Sequence, residues 1–411
     1  MKKLICSFLA LILCFSLCGC SLDELGTASE VFSSFQSQME ALILENNNVV
    51  EIEVEEYYVW SPEFDACYNS LNSKQRKLYE FFYAAAEQMP DGFIKLCDNY
   101  ADVTRDIHLA YTAMLNDNTE IFWMPNTYLI GTMKGSSNTI NIAFNHTEKN
   151  NSVSYTVNRK ERDQKRKELE NKVDEVLELV SGSDDQYEIE KIFNDYICAN
   201  TLYDAKAPFS NTSYGCLVGG KALCEGYSRA FKLLCNEAGI ECDLISGVSH
   251  GEGHMWNSVN IDGIHNYVDV TWNDTSEELL YLYFNITKEQ LLYDHSFSPV
   301  FTSLSSKKIC SGESFNFFER DATFTGNTYF AKNDLVVNHG YEDKIVYSLR
   351  EAATDGLSSC AFLITNKDLI KLLKKDPDKV LTEIQYRLTD AKITQYIFER
   401  DVLVLFFDVS D

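Results

Sequence analysis

Basic residues are scarce in this chain of 411 residues, with 36 Lys and Arg against 62 Asp and Glu and a formal net charge of −26. That balance excludes a general nucleic-acid binder, which must neutralise phosphates with Lys and Arg. It also repels anionic wall polymers and lipid headgroups and favours neutral or basic peptides, although acidity serves solubility as well. Histidine is scarcer still, at seven. His250, Glu252 and His254 stand close together, but no second pair of ligands follows at metal-binding spacing, so neither a metal site nor a cofactor is expected. The chain has no repeat of solenoid period and no low-complexity tract. Past the first residues it has no long apolar run, and the run from Leu4 to Leu17 is too short for a good membrane span.

That early run has another use. Lys2 and Lys3 precede it, which is the layout of a secretion signal. The sequence Leu17-Cys18-Gly19-Cys20 then resembles a bacterial lipobox, and the resemblance implies a signal peptide over 1–19 and lipidation at Cys20. The mature protein would be tethered to the cell membrane on its extracytoplasmic face. Loss of the first nineteen residues leaves 34 basic against 62 acidic residues, a net charge of −28. Of thirteen cysteines, Cys6, Cys14 and Cys18 leave with the signal. Setting Cys20 and Cys224 aside, eight remain, a number that permits disulfides in an exported protein without assigning them.

Cys224 is the most informative residue. After it Tyr227, Ala230, Phe231, Leu234 and Cys235 recur at three- and four-residue spacing, and Gly239 follows as a stop, so Cys224 opens a buried amphipathic helix. Gly219 and Gly220 precede it where a loop bends sharply. A thiol becomes a strong nucleophile only as thiolate, which the N-terminal end of a helix and a neighbouring imidazole both favour. Without this context Cys224 would more often be a core residue or half of a disulfide.

The segment from His254 to Thr271 reads as two strands joined by an Asp262-Gly263 turn. If that loop has two residues, Asp269 lies opposite Trp256, and His254 is its diagonal neighbour on the same face, roughly 7–8 Å away by backbone. An Asp269–His254 hydrogen bond would fix the imidazole tautomer and stabilise imidazolium. A one-residue slip would turn Asp269 to the other face. His250 lies in the loop-like SHGEG and is the weaker base. His265 shares the face near the hairpin tip, and Trp256 and Trp272 read as packing residues.

Residues from about Ile192 to Asp294 resemble the bacterial transglutaminase-like domain, a branch of the papain-like thiol enzymes. The resemblance is carried by FNDYICANTLYD, YGCLVGGKALCEGYSRAF, GHMWNSVNIDG, YVDVTWND and the closing YFNITKEQLLYDH, in that order. It implies an α+β fold with the Cys-bearing helix packed on an antiparallel sheet, Cys224 as nucleophile, His254 as general base and acid, and Asp269 as the orienting carboxylate. Cys216 and Cys242 are additions the pattern does not require, and Cys216 could trap Cys224 in a disulfide. One oxyanion donor is expected from the Cys224 backbone N–H, with the Tyr214 hydroxyl as a weaker candidate for a second.

Around that core the chain divides into a tether and N-terminal segment over 20–70, an N-terminal α+β region over 71–180, the catalytic domain over 181–299 and a C-terminal accessory α/β domain over 300–411. Helices are expected over Ser73–Met89, Arg159–Val180, Gln186–Ala199 and Asp343–Ala353, with a small antiparallel sheet between the first two. The expected activity is acyl transfer through a thioester on Cys224, with a peptide or protein as substrate. Hydrolysis as a peptidase or deamidase is favoured over protein cross-linking, because transfer to an amine needs a second groove. A non-catalytic binding module on the same fold is the competing class.

Overall fold

The computed structural model describes residues 42–44, 49–54, 57–98, 103–133, 136–148, 151–274, 279–301, 314–322 and 328–409. The signal segment and Cys20 lie outside the described residues. Among the described residues no helix is long and apolar enough to cross a membrane. The described residues form two compact units, one within 42–265 and 294–321, the other within 266–293 and 322–409.

The larger unit begins with strands β1 (Leu42–Leu44) and β2 (Val49–Val50), then helices α1 (Ala66–Ser70) and α2 (Ser73–Gln88). Helix α2 starts where the sequence places it because Asn72 and Gln75 form a reciprocal capping box. Strand β3 (Phe93–Asp98), helix α3 (Val103–Asp117) and strands β4 (Leu129–Met133) and β5 (Ser136–Ala143) follow. The five strands form a sheet of order β1-β4-β5-β3-β2, in which β3–β5 and β4–β5 are antiparallel. A short hairpin, β6 (His146–Glu148) with β7 (Asn151–Val153), leads into α4 (Arg159–Glu178), again opened by a capping box, here Asn158 and Glu161.

The rest of this unit carries the site. Helix α5 (Gln186–Asn200) is capped by Asp185. Strand β8 (Leu202–Tyr203), helix α6 (Ser213–Leu217) and strand β9 (Lys221–Ala222) bring the chain to α7 (Cys224–Glu237). Helix α7 is buried along nearly its whole length, from Cys224 to Cys235. Side chains such as Phe231 and Leu234, each fully buried, contribute about 1.5–3 kcal/mol apiece by leaving water. Gly239 ends the helix at φ +77°, the left-handed stop its position in the sequence suggests. Strands β10 (Cys242–Ser249) and β11 (Glu252–Ile261) are antiparallel, and β13 (His295–Phe297) pairs antiparallel with the other edge of β10. Strand β11 turns at Asp262-Gly263 into β12 (Ile264–Val268).

The second unit has a four-stranded sheet of order β14-β15-β17-β16, made of β14 (Val336–Val337), β15 (Ser359–Ile364), β16 (Ala391–Glu399) and β17 (Val402–Val409). Helices α8 (Tyr341–Thr354), α9 (Lys367–Lys375) and α10 (Pro377–Arg387) supply Ile345, Leu349, Leu369, Val380 and Ile384 to one core with Phe362, Leu403 and Leu405 of the strands. The β16–β17 loop has two residues, Arg400 and Asp401, both at positive φ, as a tight hairpin between right-twisted strands requires.

Candidate active site

Cys224 is the first residue of α7 and is 3% exposed. Its N-cap, Leu223, is extended and offers no side chain to the first-turn N–H groups. Those donors and the positive end of the helix dipole therefore face the end of the helix that Cys224 opens. The turn is pressed against the preceding loop: a Cβ on Gly226 would lie 2.3 Å from the Ser210 carbonyl oxygen and 2.8 Å from the Ala222 Cβ. Gly220 has φ +65° and passes close to Asn200, so the bend the sequence calls for before Cys224 is a left-handed one.

Polar contacts fix α7 against the sheet. Ser228 Oγ donates to the Met255 carbonyl at 2.9 Å, and Asn257 Nδ2 donates to the Ser228 carbonyl at 3.0 Å. One turn further on, Lys232 Nζ donates to the Cys242 carbonyl at 2.7 Å, and Cys242 is the β10 residue paired with Val259. Thus Lys232 lies at the level of Val259 and Ser228 at the level of Met255–Asn257. Four helical residues rise about 6 Å, close to two strand residues, so one more turn back brings Cys224 level with His254. Burial alone would push Lys232 down, but Asp243 and Asp117 beside it hold its ammonium above the ordinary range. Arg229 pairs with Glu225 one turn back in the same helix at 2.9 Å, and its Nη1 donates to the Leu115 carbonyl, which ties α7 to α3.

His254 is 7% exposed on β11, opposite Gly247 of β10. Its ring stacks on Trp256 with centroids 6.0 Å apart. Asp262 and Gly263 have φ of 54° and 82°, so the hairpin loop is the two-residue turn the register requires. Ser258 Oγ lies 3.4 Å from His265 Nδ1, a same-face diagonal contact that a one-residue slip would break. Burial and Arg320 lower the His265 pKa. His250 sits in the β10–β11 turn at φ 51° and is exposed. In the other unit, Asp269 is 1% exposed and caps the one-turn helix Val270–Asn273, its Oδ1 accepting from Trp272 N at 3.1 Å.

Tyr214 lies in α6, and its hydroxyl donates to Glu168 Oε2 at 2.6 Å and accepts from Lys165 Nζ at 3.1 Å. Both partners belong to α4, so this hydroxyl is committed to holding α6 on that helix. Among the described residues Cys67, Cys198, Cys216, Cys224, Cys235, Cys242 and Cys360 are not joined in disulfides, and Cys216 Sγ contacts Thr201 Oγ1 at 3.4 Å. His295 is absent from the expected site residues. It is buried on β13 with its ring 5.4 Å from that of His254, and its only sequence signal is its place in the YDH that closes the resemblance.

A buried cysteine at a helix start, on a helix packed against the antiparallel strand that carries a buried histidine, is an arrangement consistent with a papain-like fold. Residues 174–272 match the family described as the transglutaminase-like superfamily. That segment belongs to the superfamily, an α+β fold whose members form a thiol acyltransferase and peptidase-like group. Kyphoscoliosis peptidase of Mus musculus is 30% identical over 112 residues, which are 21% of this chain and 17% of that protein. The chain thus spans about a sixth of the length of that relative. A TGase structure is 13% identical, covers 46% of this chain and 53% of its own, and superposes with a TM-score of 0.25. A proposed cysteine protease of Cytophaga hutchinsonii is 17% identical over 26% of this chain and 38% of its own, with a TM-score of 0.22. TM-scores this low carry no argument, and the assignment rests on residues 174–272.

Proposed function

We propose that the protein is an exported thiol acyl-transfer enzyme, tethered outside the membrane by a lipid on Cys20 and acting on peptide or protein amides by hydrolysis. What supports this reading is that Cys224 opens an uncapped helix whose next turn bonds to the strand carrying the buried His254, through Ser228 and Met255. We take Asp269 as the orienting carboxylate, the role the resemblance implies for it, and the two-residue turn at Asp262-Gly263 agrees with the register that this role needs.

In the proposed reaction His254 takes the thiol proton, and the Cys224 sulfur adds to the amide carbonyl. The tetrahedral oxyanion is held by first-turn N–H groups of α7. The carbon–nitrogen bond then breaks as His254 passes its proton to the leaving amine, giving a thioester on Cys224. Water adds to the thioester with His254 as base, releasing the carboxylic acid and restoring the thiol. A lysine amine in place of water would give a cross-link instead.

The test is acid quenching of the protein with a library of neutral and basic peptides, followed by mass spectrometry of the peptide that contains Cys224. The expected result is an acyl adduct on Cys224 that decays in water, with an added primary amine changing the product by less than about twofold. A product made mainly of the amine adduct would establish the cross-linking reading. Hydrolysis of the same peptides at an unchanged rate by Cys224→Ala would overturn the thioester route.

A further inference from the structure

Three buried rings meet on one face of the sheet in the larger unit. His254 stacks on Trp256, His295 meets Trp256 edge-on with centroids 5.0 Å apart and an interplanar angle of 78°, and His295 lies 5.4 Å from His254. The notch that admits them is Gly247. It stands opposite His254 on one side and Phe297 on the other, and a Cβ there would lie 2.4 Å from the Trp256 ring and 2.1 Å from the Ser296 carbonyl oxygen. His295 is also gripped from outside the cluster: its Nδ1 is 2.6 Å from Asp294 Oδ1, with the two side chains 0% and 10% exposed. Ser249 Oγ donates to the Asp294 carbonyl at 3.3 Å and so ties that residue to β10.

If the third ring served packing alone, a phenylalanine would fill the same space without burying a carboxylate. With Nδ1–H given to Asp294, the remaining polar atom of His295 is Nε2, and its tautomer is set by that bond. We propose that Asp294 and His295 form a positioning pair for His254. Asp294 locks the His295 ring, and His295 with Trp256 holds the His254 imidazole in the one orientation in which the proposed triad fixes its tautomer. The role rests on His254 being the base of the proposed reaction, as displacing such a group by about 1 Å costs on the order of 100-fold in rate.

The experiment uses the full chain and two independent readouts: the tautomer of His254 from its side-chain nitrogen shifts at a fixed pH, and the rate of Cys224 alkylation. In His295→Phe the expected result is a mixed His254 tautomer and a roughly 10- to 100-fold slower alkylation. His295→Gln, which keeps a polar end, recovers most of the rate, and Asp294→Asn falls between them. A folded His295→Phe with the wild-type tautomer and rate would overturn the proposal. If that variant does not fold, an unchanged tautomer in Asp294→Asn overturns it instead. Should wild-type Cys224 react no faster than the other thiols, the Cys224–His254 reading fails, while the tautomer readout still decides whether the pair positions His254.

Discussion

Gly247 shows how much of the site depends on one missing side chain. Its place in β10 lets Trp256 lie across the strand and lets β13 approach with the Ser296 carbonyl, and both neighbours help hold His254 or His295. A methyl group there meets ring and backbone, neither of which yields cheaply. Gly247→Ala is therefore expected to cost about 1–3 kcal/mol, the usual range for overpacking a filled interior, and to slow the chemistry at Cys224 further by shifting His254. Denaturant midpoints and alkylation rates measured together check this; a variant as stable and reactive as the wild type would show that the rings have room the structure does not give them. The Cys224, His254 and Gly220 positions are legible in the sequence because each is set by local chemistry: a helix start, a strand beside a tight turn, a left-handed bend. Gly247 and His295 are not, because their roles arise only when β13 pairs with β10 from about fifty residues away.

At the scale of elements, the sequence anticipates helices whose starts are written nearby. Asn72 with Gln75 and Asn158 with Glu161 cap α2 and α4, and both helices begin where the pattern places them. Helix α1 is different, since its cap comes from elsewhere: the N–H groups of Cys67 and Tyr68 donate to Asp117 at 3.1 and 2.9 Å, and no side chain near α1 does this. Helix α3, which ends in Asp117, is not among the expected elements, although Ile107, Ala110, Tyr111 and Met114 recur at helical spacing. Burial pushes the Asp117 carboxyl up from 3.8 to about 7, against the pull of Lys232 and the two backbone donors. An acid raised on folding binds its proton more tightly in the native state, so it contributes stability that is lost as pH rises from about 4 to about 7 and changes little above that. Asp117→Asn removes this dependence. The difference in unfolding free energy between wild type and variant is expected to move against the wild type by up to about 4 kcal/mol across that window, and a difference flat from pH 4 to 8 would contradict the account.

For the whole molecule, composition restricts the partners while the site supplies the chemistry. A net charge of −26 turns the protein away from phosphate backbones and anionic surfaces and toward neutral or basic peptides, the substrates named in the proposed function. In the second unit α8, α9 and α10 share one core with the sheet, and the alternation of strands and helices over 336–409 was legible in the sequence, but the unit also takes in Asn266–Tyr293, which no local pattern in the sequence announces. All of this depends on Cys224 being an activated nucleophile. The most direct test is alkylation of every cysteine in the full chain at neutral pH, read by mass spectrometry, in the wild type and in His254→Ala. The account predicts that Cys224 reacts at least about tenfold faster than the other buried thiols and loses that advantage when His254 is removed. Equal reactivity of Cys224 and Cys216 in the wild type, unchanged in His254→Ala, would contradict it.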